Sequence, residues 1–127
     1  ARACFGVRGT FVHGRARAMV DQVEGPFDVV MAFGLLHHLE DSDVEDLLAF
    51  SREILGKGGR AIFIEPCHTP DQSSAARWFI ARDRGTRVRR PEAYAALAKK
   101  TFPDLKTAVR TDLVNIPWTH CILTCKI

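Results

Sequence analysis

The chain has 127 residues, of which 46% are hydrophobic and 26% are charged, a balance typical of one globular domain. Its formal net charge is +3, from 18 Lys and Arg against 15 Asp and Glu, so charge alone does not indicate a nucleic-acid partner. The sequence contains neither an apolar run of the ~20 residues that span a bilayer nor a signal segment. A disordered or collagen-like chain is excluded, and we expect a cytoplasmic protein without membrane insertion.

Four cysteines are scattered along the chain without a Cys-x-x-Cys pair, which argues against a zinc knuckle or a thioredoxin-like motif. Free cysteines behave as small hydrophobic residues in a reducing compartment. We therefore expect buried thiols and no disulfide among these four residues, which are Cys4, Cys67, Cys121 and Cys125.

A strand, helix, strand unit is predicted in the middle of the chain. The almost continuously apolar run at 27–33 is typical of a strand covered on both faces. The spacing of Ser42 and Glu45 predicts a capping box, and the amphipathic helix that follows ends at Gly56. A second apolar strand at 60–64 completes the unit, so the two strands lie parallel in one sheet.

Weaker patterns flank this unit. A short apolar segment at 9–14 is interpreted as a strand. Ser73 or Ser74 can cap one helix, and Pro91 can open another. Two further segments have the pattern of strands, at 107–114 and 120–127. Together they predict an antiparallel hairpin that closes the sheet.

Polar residues follow both strands of the central unit. The segment 33–38 follows the first strand and contains His37 and His38, while Glu65 and His68 follow the second. Because the carboxyl ends of parallel strands meet at one edge of a sheet, we expect these side chains to lie close together.

Arginine is concentrated in a short stretch after the central unit. Guanidinium groups could bind a phosphate or a carboxylate of a substrate, while a solvated turn between two helices explains the cluster equally well. No aromatic residues are interleaved, which makes a nucleic-acid groove unfavourable. The cluster consists of Arg82, Arg84, Arg87, Arg89 and Arg90.

The order of several motifs resembles the second half of class I S-adenosylmethionine-dependent methyltransferases. The motifs are FDVV at 27–30, LHHL at 36–39, an acidic helix, and LGKGGR at 55–60 leading into a strand. The resemblance implies a Rossmann-like methyltransferase fold, α/β with a mostly parallel sheet that ends in an antiparallel hairpin, and S-adenosylmethionine as the cofactor. The stretch from DRG at 83–85 to VR at 88–89, together with IPWTH at 116–120, resembles a subgroup of bacterial members. Some of that subgroup are associated with surface-polysaccharide assembly, which implies a small-molecule or glycan-like acceptor.

The family's first strands and its Gly-rich cofactor turn have no counterpart in this sequence. The only Gly-x-Gly, at 56–58, lies at a helix exit. We therefore expect residues 1–127 to form a single partial methyltransferase domain, the carboxyl-terminal part, that is inactive alone and binds the cofactor weakly. Strand 27–33 would then have a bare edge, or segment 10–13 would pair there, and a bare apolar edge predicts poor solubility.

The resemblance also implies which residues border the cofactor. Phe33, Gly34 and Leu35 would lie along its methionine and ribose part, where the missing Cβ of Gly34 permits close approach. Gly14 and Arg15 would lie near the adenine, at a place where the family often has an Asp.

Methyl transfer requires an acceptor held in line with the sulfonium methyl, and an oxygen acceptor must also lose a proton. His37, His38 and His68 are candidate bases, with Glu65 as a partner that orients one of them. Alternatively, these histidines only pack within their loops. A metal site is not expected, because the acidic residues beside the histidines suit a helix start; these are Glu40, Asp41 and Asp43.

The sequence thus predicts methyl transfer from S-adenosylmethionine to a small-molecule or glycan-like acceptor, at oxygen. A non-catalytic binding module of the same fold and a fragment of an RNA methyltransferase are the alternatives. The acceptor, the methylated atom and the oligomeric state stay open.

Overall fold

The computed structural model describes residues 2–127, and for residues 2, 3 and 17 it describes the backbone alone. The helices are α1 (Arg2–Phe5), α2 (Asp41–Ile54), α3 (Ser74–Ile80) and α4 (Pro91–Lys99). The strands are β1 (Phe27–Phe33), β2 (Leu55–Pro66), β3 (Asp104–Arg110) and β4 (His120–Lys126). Short 3-10 segments lie at Gly6–Arg8, Ala16–Gln22 and Leu36–His38. None of the described helices is long and apolar enough to cross a bilayer.

The four strands form one mixed sheet in the order β1-β2-β4-β3. β1 and β2 are parallel and are joined through α2, as the strand, helix, strand pattern predicted. β4 runs antiparallel to both β2 and β3, so the predicted closing hairpin is confirmed. The Rossmann-like arrangement expected from the sequence is therefore present.

The boundaries of α2 differ from the prediction. The helix begins two residues earlier than a capping box at Ser42 requires, with Glu40 at the N-cap, where the Glu40 carbonyl accepts the Val44 N–H at 3.0 Å. Ser42 lies inside the first turn, so the capping box with Glu45 is wrong. The helix also ends at Ile54, before Gly56, because the next residue already pairs with β1.

Local signals for α3 and α4 are confirmed. The Ser73 hydroxyl accepts the Ala76 N–H at 3.1 Å and caps α3. Pro91 occupies the first turn of α4, where its missing N–H leaves no helix bond unmade.

One face of the sheet carries the hydrophobic core. α2 and α4 pack on it, and the largest buried side chains include Leu48, Phe63, Tyr94, Phe102 and Leu123. Three cysteines are buried with them, and burial raises the pKa of Cys67 to about 11 and that of Cys121 and Cys125 to about 12. Cys4 is exposed in the amino-terminal segment, so its predicted burial is wrong.

The opposite face is open along β1. Phe27, Val29, Met31 and Phe33 share that face at the two-residue period of a strand, and they are between 37% and 58% exposed. The prediction of a strand covered on both faces is therefore wrong. Segment 9–14 is irregular, which corrects its interpretation as a strand, and within the described chain β1 pairs with β2 alone. The expected bare apolar edge is thus present.

We predict that this chain self-associates through β1, because an exposed edge strand with apolar side chains pairs with other chains. The substitution Met31→Lys places a charge in the centre of that face and should shift the protein toward monomer. Sedimentation velocity over a concentration series measures the shift.

Thr107→Lys is the matched control, because it adds the same charge at an exposed position of β3, at the other edge of the sheet. A parent chain that stays monomeric throughout the series, or two variants that behave alike, would contradict the prediction.

Candidate functional site

The carboxyl ends of β1 and β2 form a rim, as predicted. The Gly34 N–H donates to the Ile64 carbonyl at 2.9 Å, which continues the β1–β2 ladder by one residue. Gly34 then adopts a left-handed conformation with φ of 60°, which strains any residue that has a Cβ. The chain turns there and brings Leu35 and His37 to the end of β2.

Glu65, near the end of β2, is fully buried beneath this turn. Its Oε1 accepts the Leu35 N–H at 2.9 Å, and its Oε2 accepts the His37 N–H at 3.2 Å. The Nδ1 atom of His37 lies 2.7 Å from Oε2 and makes a third hydrogen bond. A buried carboxylate is tolerated only when hydrogen bonds replace its water, and these three bonds do so.

His37 joins this carboxylate to a segment far along the chain. Its Nε2 lies 3.1 Å from Oδ1 of Asp83, and the same oxygen accepts the Gly85 N–H at 2.7 Å. Partial burial by itself would raise the pKa of Asp83, but the Gly85 hydrogen bond and the neighbouring His37 and His38 together hold it below its ordinary value. The His37 side chain is buried, with a carboxylate at each ring nitrogen.

Gly85 lies directly against the His37 ring. A Cβ on Gly85 would stand 1.7 Å from Cδ2 of that ring, so only glycine fits at this position. The contact locks residues 83–85 over the rim.

His38 is exposed and lines a shallow pocket on this rim. Its ring centroid lies 4.0 Å from that of His37. The pocket has a volume of about 400 Å³ and is lined by His38, Phe79, Arg82, Asp83, Arg84 and Trp118. We call it the His38 pocket. His68, the third predicted histidine, is exposed outside the lining of this pocket.

The arginine cluster divides into separate roles. Arg89 donates to the carbonyls of Leu36 and Leu39 at 2.9 Å each and pairs with Asp41 at 2.6 Å. Arg87 pairs with Glu40. These two arginines therefore fasten the 36–41 segment.

The other three arginines face solvent. Arg82 and Arg84 line the His38 pocket, and the guanidinium of Arg82 lies 3.7 Å from the centroid of the Trp78 ring. Arg90 is exposed at the N-cap of α4. Of the five arginines, only Arg82 and Arg84 share a pocket.

A second pocket lies where the sequence predicted cofactor contacts. It has a volume of about 510 Å³ and brings Gly14 and Arg15 together with Leu35. Its remaining lining residues are Ala16, Ala18, Met19, Leu39, Asp43, Asp46 and Leu47. Phe33 and Gly34 lie at the end of β1 and are not part of its lining. We call it the Leu35 pocket.

Sequence reasoning missed two kinds of residue at the rim. Asp83 is not among the predicted site residues, yet it contacts His37 across 46 residues. Phe79 and Trp118 are not among them either, but both line the His38 pocket. The signal that could have found Asp83 is the Asp-Arg-Gly sequence at 83–85, an acceptor followed by a glycine.

Comparison with known proteins identifies the fold. The chain matches no protein-family model and no curated protein sequence. Among solved structures, it superposes on TnmH with a TM-score of 0.71 at 20% identity, covering 98% of this chain and 38% of TnmH. A methyltransferase from Archaeoglobus fulgidus, described as SAM dependent, gives a TM-score of 0.68 at 13% identity over 91% of this chain and 66% of that chain.

Human N-acetylserotonin methyltransferase, solved in complex with SAM, gives a TM-score of 0.59 at 20% identity over 81% of this chain and 31% of that chain. The chain thus spans about a third of the length of the human enzyme and of TnmH. These likenesses show that the chain has the class I methyltransferase fold.

We predict that Gly85→Ala destabilises the protein by about 1 to 3 kcal/mol, because its Cβ must displace the His37 ring or the 83–85 segment. Thermal unfolding followed by circular dichroism measures the loss. Gly9→Ala is the matched control, since its nearest neighbour would be the Phe11 ring at an ordinary 3.6 Å. Equal stability of the two variants would contradict the packing described for His37.

Proposed function

We propose that this chain is part of a methyltransferase that transfers the methyl group of S-adenosylmethionine to an oxygen of a small-molecule or glycan-like acceptor. One observation carries the proposal: an exposed imidazole and two arginines border a pocket at the rim where the class I fold binds its ligands. Solved structures of the same fold include human N-acetylserotonin methyltransferase in complex with SAM and the mitomycin 7-O-methyltransferase MmcR, which supports the cofactor and the oxygen acceptor.

The Leu35 pocket suits the adenine part of the cofactor. Met19, Leu35, Leu39 and Leu47 supply apolar walls, between which a flat base can bind. The Asp43 carboxylate also lines the pocket and can accept a hydrogen bond from an exocyclic amine. When bound, S-adenosylmethionine supplies an electrophilic methyl group on a sulfonium.

In this proposal Gly14 and Arg15 close the Leu35 pocket around the adenine. Phe33 and Gly34 border the methionine and ribose part of the cofactor. Gly34 has no Cβ, so a ligand can approach its backbone closely. Among residues 2–127, no strand pairs with the outer edge of β1, and further cofactor contacts would come from a strand that pairs with that edge. This explains our expectation that the chain alone binds the cofactor weakly.

The acceptor enters the His38 pocket in this proposal. The acceptor hydroxyl donates a hydrogen bond to His38, the exposed imidazole of the pocket, and the proton leaves in that direction as the methyl arrives. Arg82 and Arg84 offer planar donors for a carboxylate or phosphate of the acceptor, with Phe79 and Trp118 as apolar walls.

His37 and Glu65 act as positioning residues, because both are buried and hydrogen-bonded to each other. His68 is exposed and remains a second candidate for contact with the acceptor. Arg87 and Arg89 support the site by hydrogen bonds and ion pairs to the 36–41 segment. Arg90 is exposed at the start of α4 and lies outside the lining of the His38 pocket.

The alternative, a non-catalytic binding module, predicts no methyl transfer at all. A screen of hydroxyl compounds that carry a carboxylate or phosphate, with radiolabelled methyl transfer as the readout, separates the two. The screen uses a longer version of the protein that begins at the start codon of its reading frame, because this chain alone is expected to be inactive. A failure of every such compound with that version, together with its failure to bind S-adenosylhomocysteine, would argue for the module.

In the longer version of the protein, which we expect to transfer methyl groups, we predict that His38→Ala lowers kcat by at least about a hundredfold. The substitution removes the group that receives the proton of the acceptor. The dissociation constant for S-adenosylhomocysteine should stay close to that of the parent. Steady-state kinetics and calorimetry measure the two quantities.

His38→Gln is the matched variant, because it keeps a hydrogen-bonding group and loses the imidazole; it should remain slow. An equal loss of turnover and of cofactor affinity would instead indicate that this loop binds the cofactor.

A further inference from the structure

Three potential metal ligands converge on the rim. One ligand atom each from His37, His38 and Asp83 can be chosen so that all three lie within 4.8 Å of one another. We propose that these three side chains bind a single divalent transition-metal ion of the Zn²⁺ class. Two imidazoles and one carboxylate are a ligand set that suits Zn²⁺ and its neighbours in the first transition row.

Glu65 prepares His37 for this role. Its carboxylate accepts a hydrogen bond from Nδ1 of His37 at 2.7 Å, which leaves Nε2 as the ligand atom. Metal-binding histidines in proteins commonly donate their second ring nitrogen to a carboxylate, which fixes the tautomer and the orientation of the ring. Glu65 is itself held by the backbone amides of Leu35 and His37, so the whole support is rigid.

The spacing of the ligand atoms fits a shared ion. Nε2 of His37 and Oδ1 of Asp83 are 3.1 Å apart. Two ligands at about 2.0–2.1 Å from one Zn²⁺ stand about 3 Å apart when they subtend roughly a right angle at the metal. The Gly85 N–H fixes Asp83 by donating to Oδ1 at 2.7 Å.

The proposed site is open on one side. His38 is exposed and faces the His38 pocket, so a three-residue ligand set leaves at least one coordination position toward that pocket. Three protein ligands with an open position are typical of catalytic rather than structural zinc. Glu65 and Asp83 supply two negative charges near the ion, against the positive charge of Arg82 and Arg84 at the pocket wall.

Metal binding is independent of the proposed methyl transfer and is measured without cofactor or acceptor. Its catalytic consequence does rest on that proposed function: an acceptor hydroxyl bound to the ion would have a lowered pKa and would release its proton to solvent water, so that a free His38 imidazole would not be needed to receive it.

The test is a calorimetric titration of ZnCl₂ into the Cys4→Ser chain, in which the exposed thiol no longer competes for the ion. We expect saturable binding of one Zn²⁺ per chain. Titration with Co²⁺ should give visible absorption bands whose strength reports a low coordination number.

His38→Ala and Asp83→Asn should each weaken Zn²⁺ binding by at least about tenfold and change the Co²⁺ spectrum. Asp83→Asn keeps an amide oxygen that can accept the Gly85 N–H, and His38 is exposed, so neither variant removes a buried core residue. His68→Ala and His13→Ala, which remove histidines outside the cluster, should bind as the parent does.

Far-UV circular dichroism confirms that each variant is folded. The absence of saturable one-to-one binding would overturn the proposal. So would variants of His38 and Asp83 that bind Zn²⁺ as tightly as the parent, because the ion would then lie elsewhere.

Discussion

The buried carboxylate of Glu65 is the interaction on which the rim of this protein depends. Its two oxygens accept hydrogen bonds from Leu35 and from two nitrogens of His37. Without these bonds a buried charge would be strongly destabilising, so the turn after β1 must close over the end of β2. His37 then extends the connection to Asp83, and through it a segment distant in sequence becomes part of the same site.

The sheet explains why the site is only half enclosed. Helices α2 and α4 cover one face, while the other face and the outer edge of β1 carry exposed apolar side chains. The Leu35 pocket is lined by residues of the Ala16–Gln22 segment, of α2 and of the turn after β1, and the structures that share the fold extend well beyond the part matched by this chain. A strand added to β1 would satisfy its free backbone groups and would also complete a cofactor site. The unpaired edge of β1 therefore accounts both for the expected poor solubility and for the expected weak binding of the cofactor.

Much of the fold could be predicted because its signals are local: Ser73 and Pro91 mark helix starts, and the central strand pattern is continuous. Segment 9–14 was misjudged because an apolar run does not reveal whether a partner strand exists. Topology correctly predicts that the segment after β1 meets the end of β2, yet the contact of His37 with Asp83, 46 residues away, is encoded by no local pattern. The separate contacts of the five arginines could not be predicted for the same reason, since tertiary contacts decide which guanidinium groups are occupied.

We propose that this chain carries part of an S-adenosylmethionine site and that the remainder of the site pairs with β1. The decisive experiment is calorimetric titration of S-adenosylhomocysteine into this chain and into a longer version that begins at the start codon of its reading frame. We expect one-to-one binding by the longer version and weak or no binding by this chain. Absence of binding by both would overturn the proposal and would leave the rim as the site for another kind of partner.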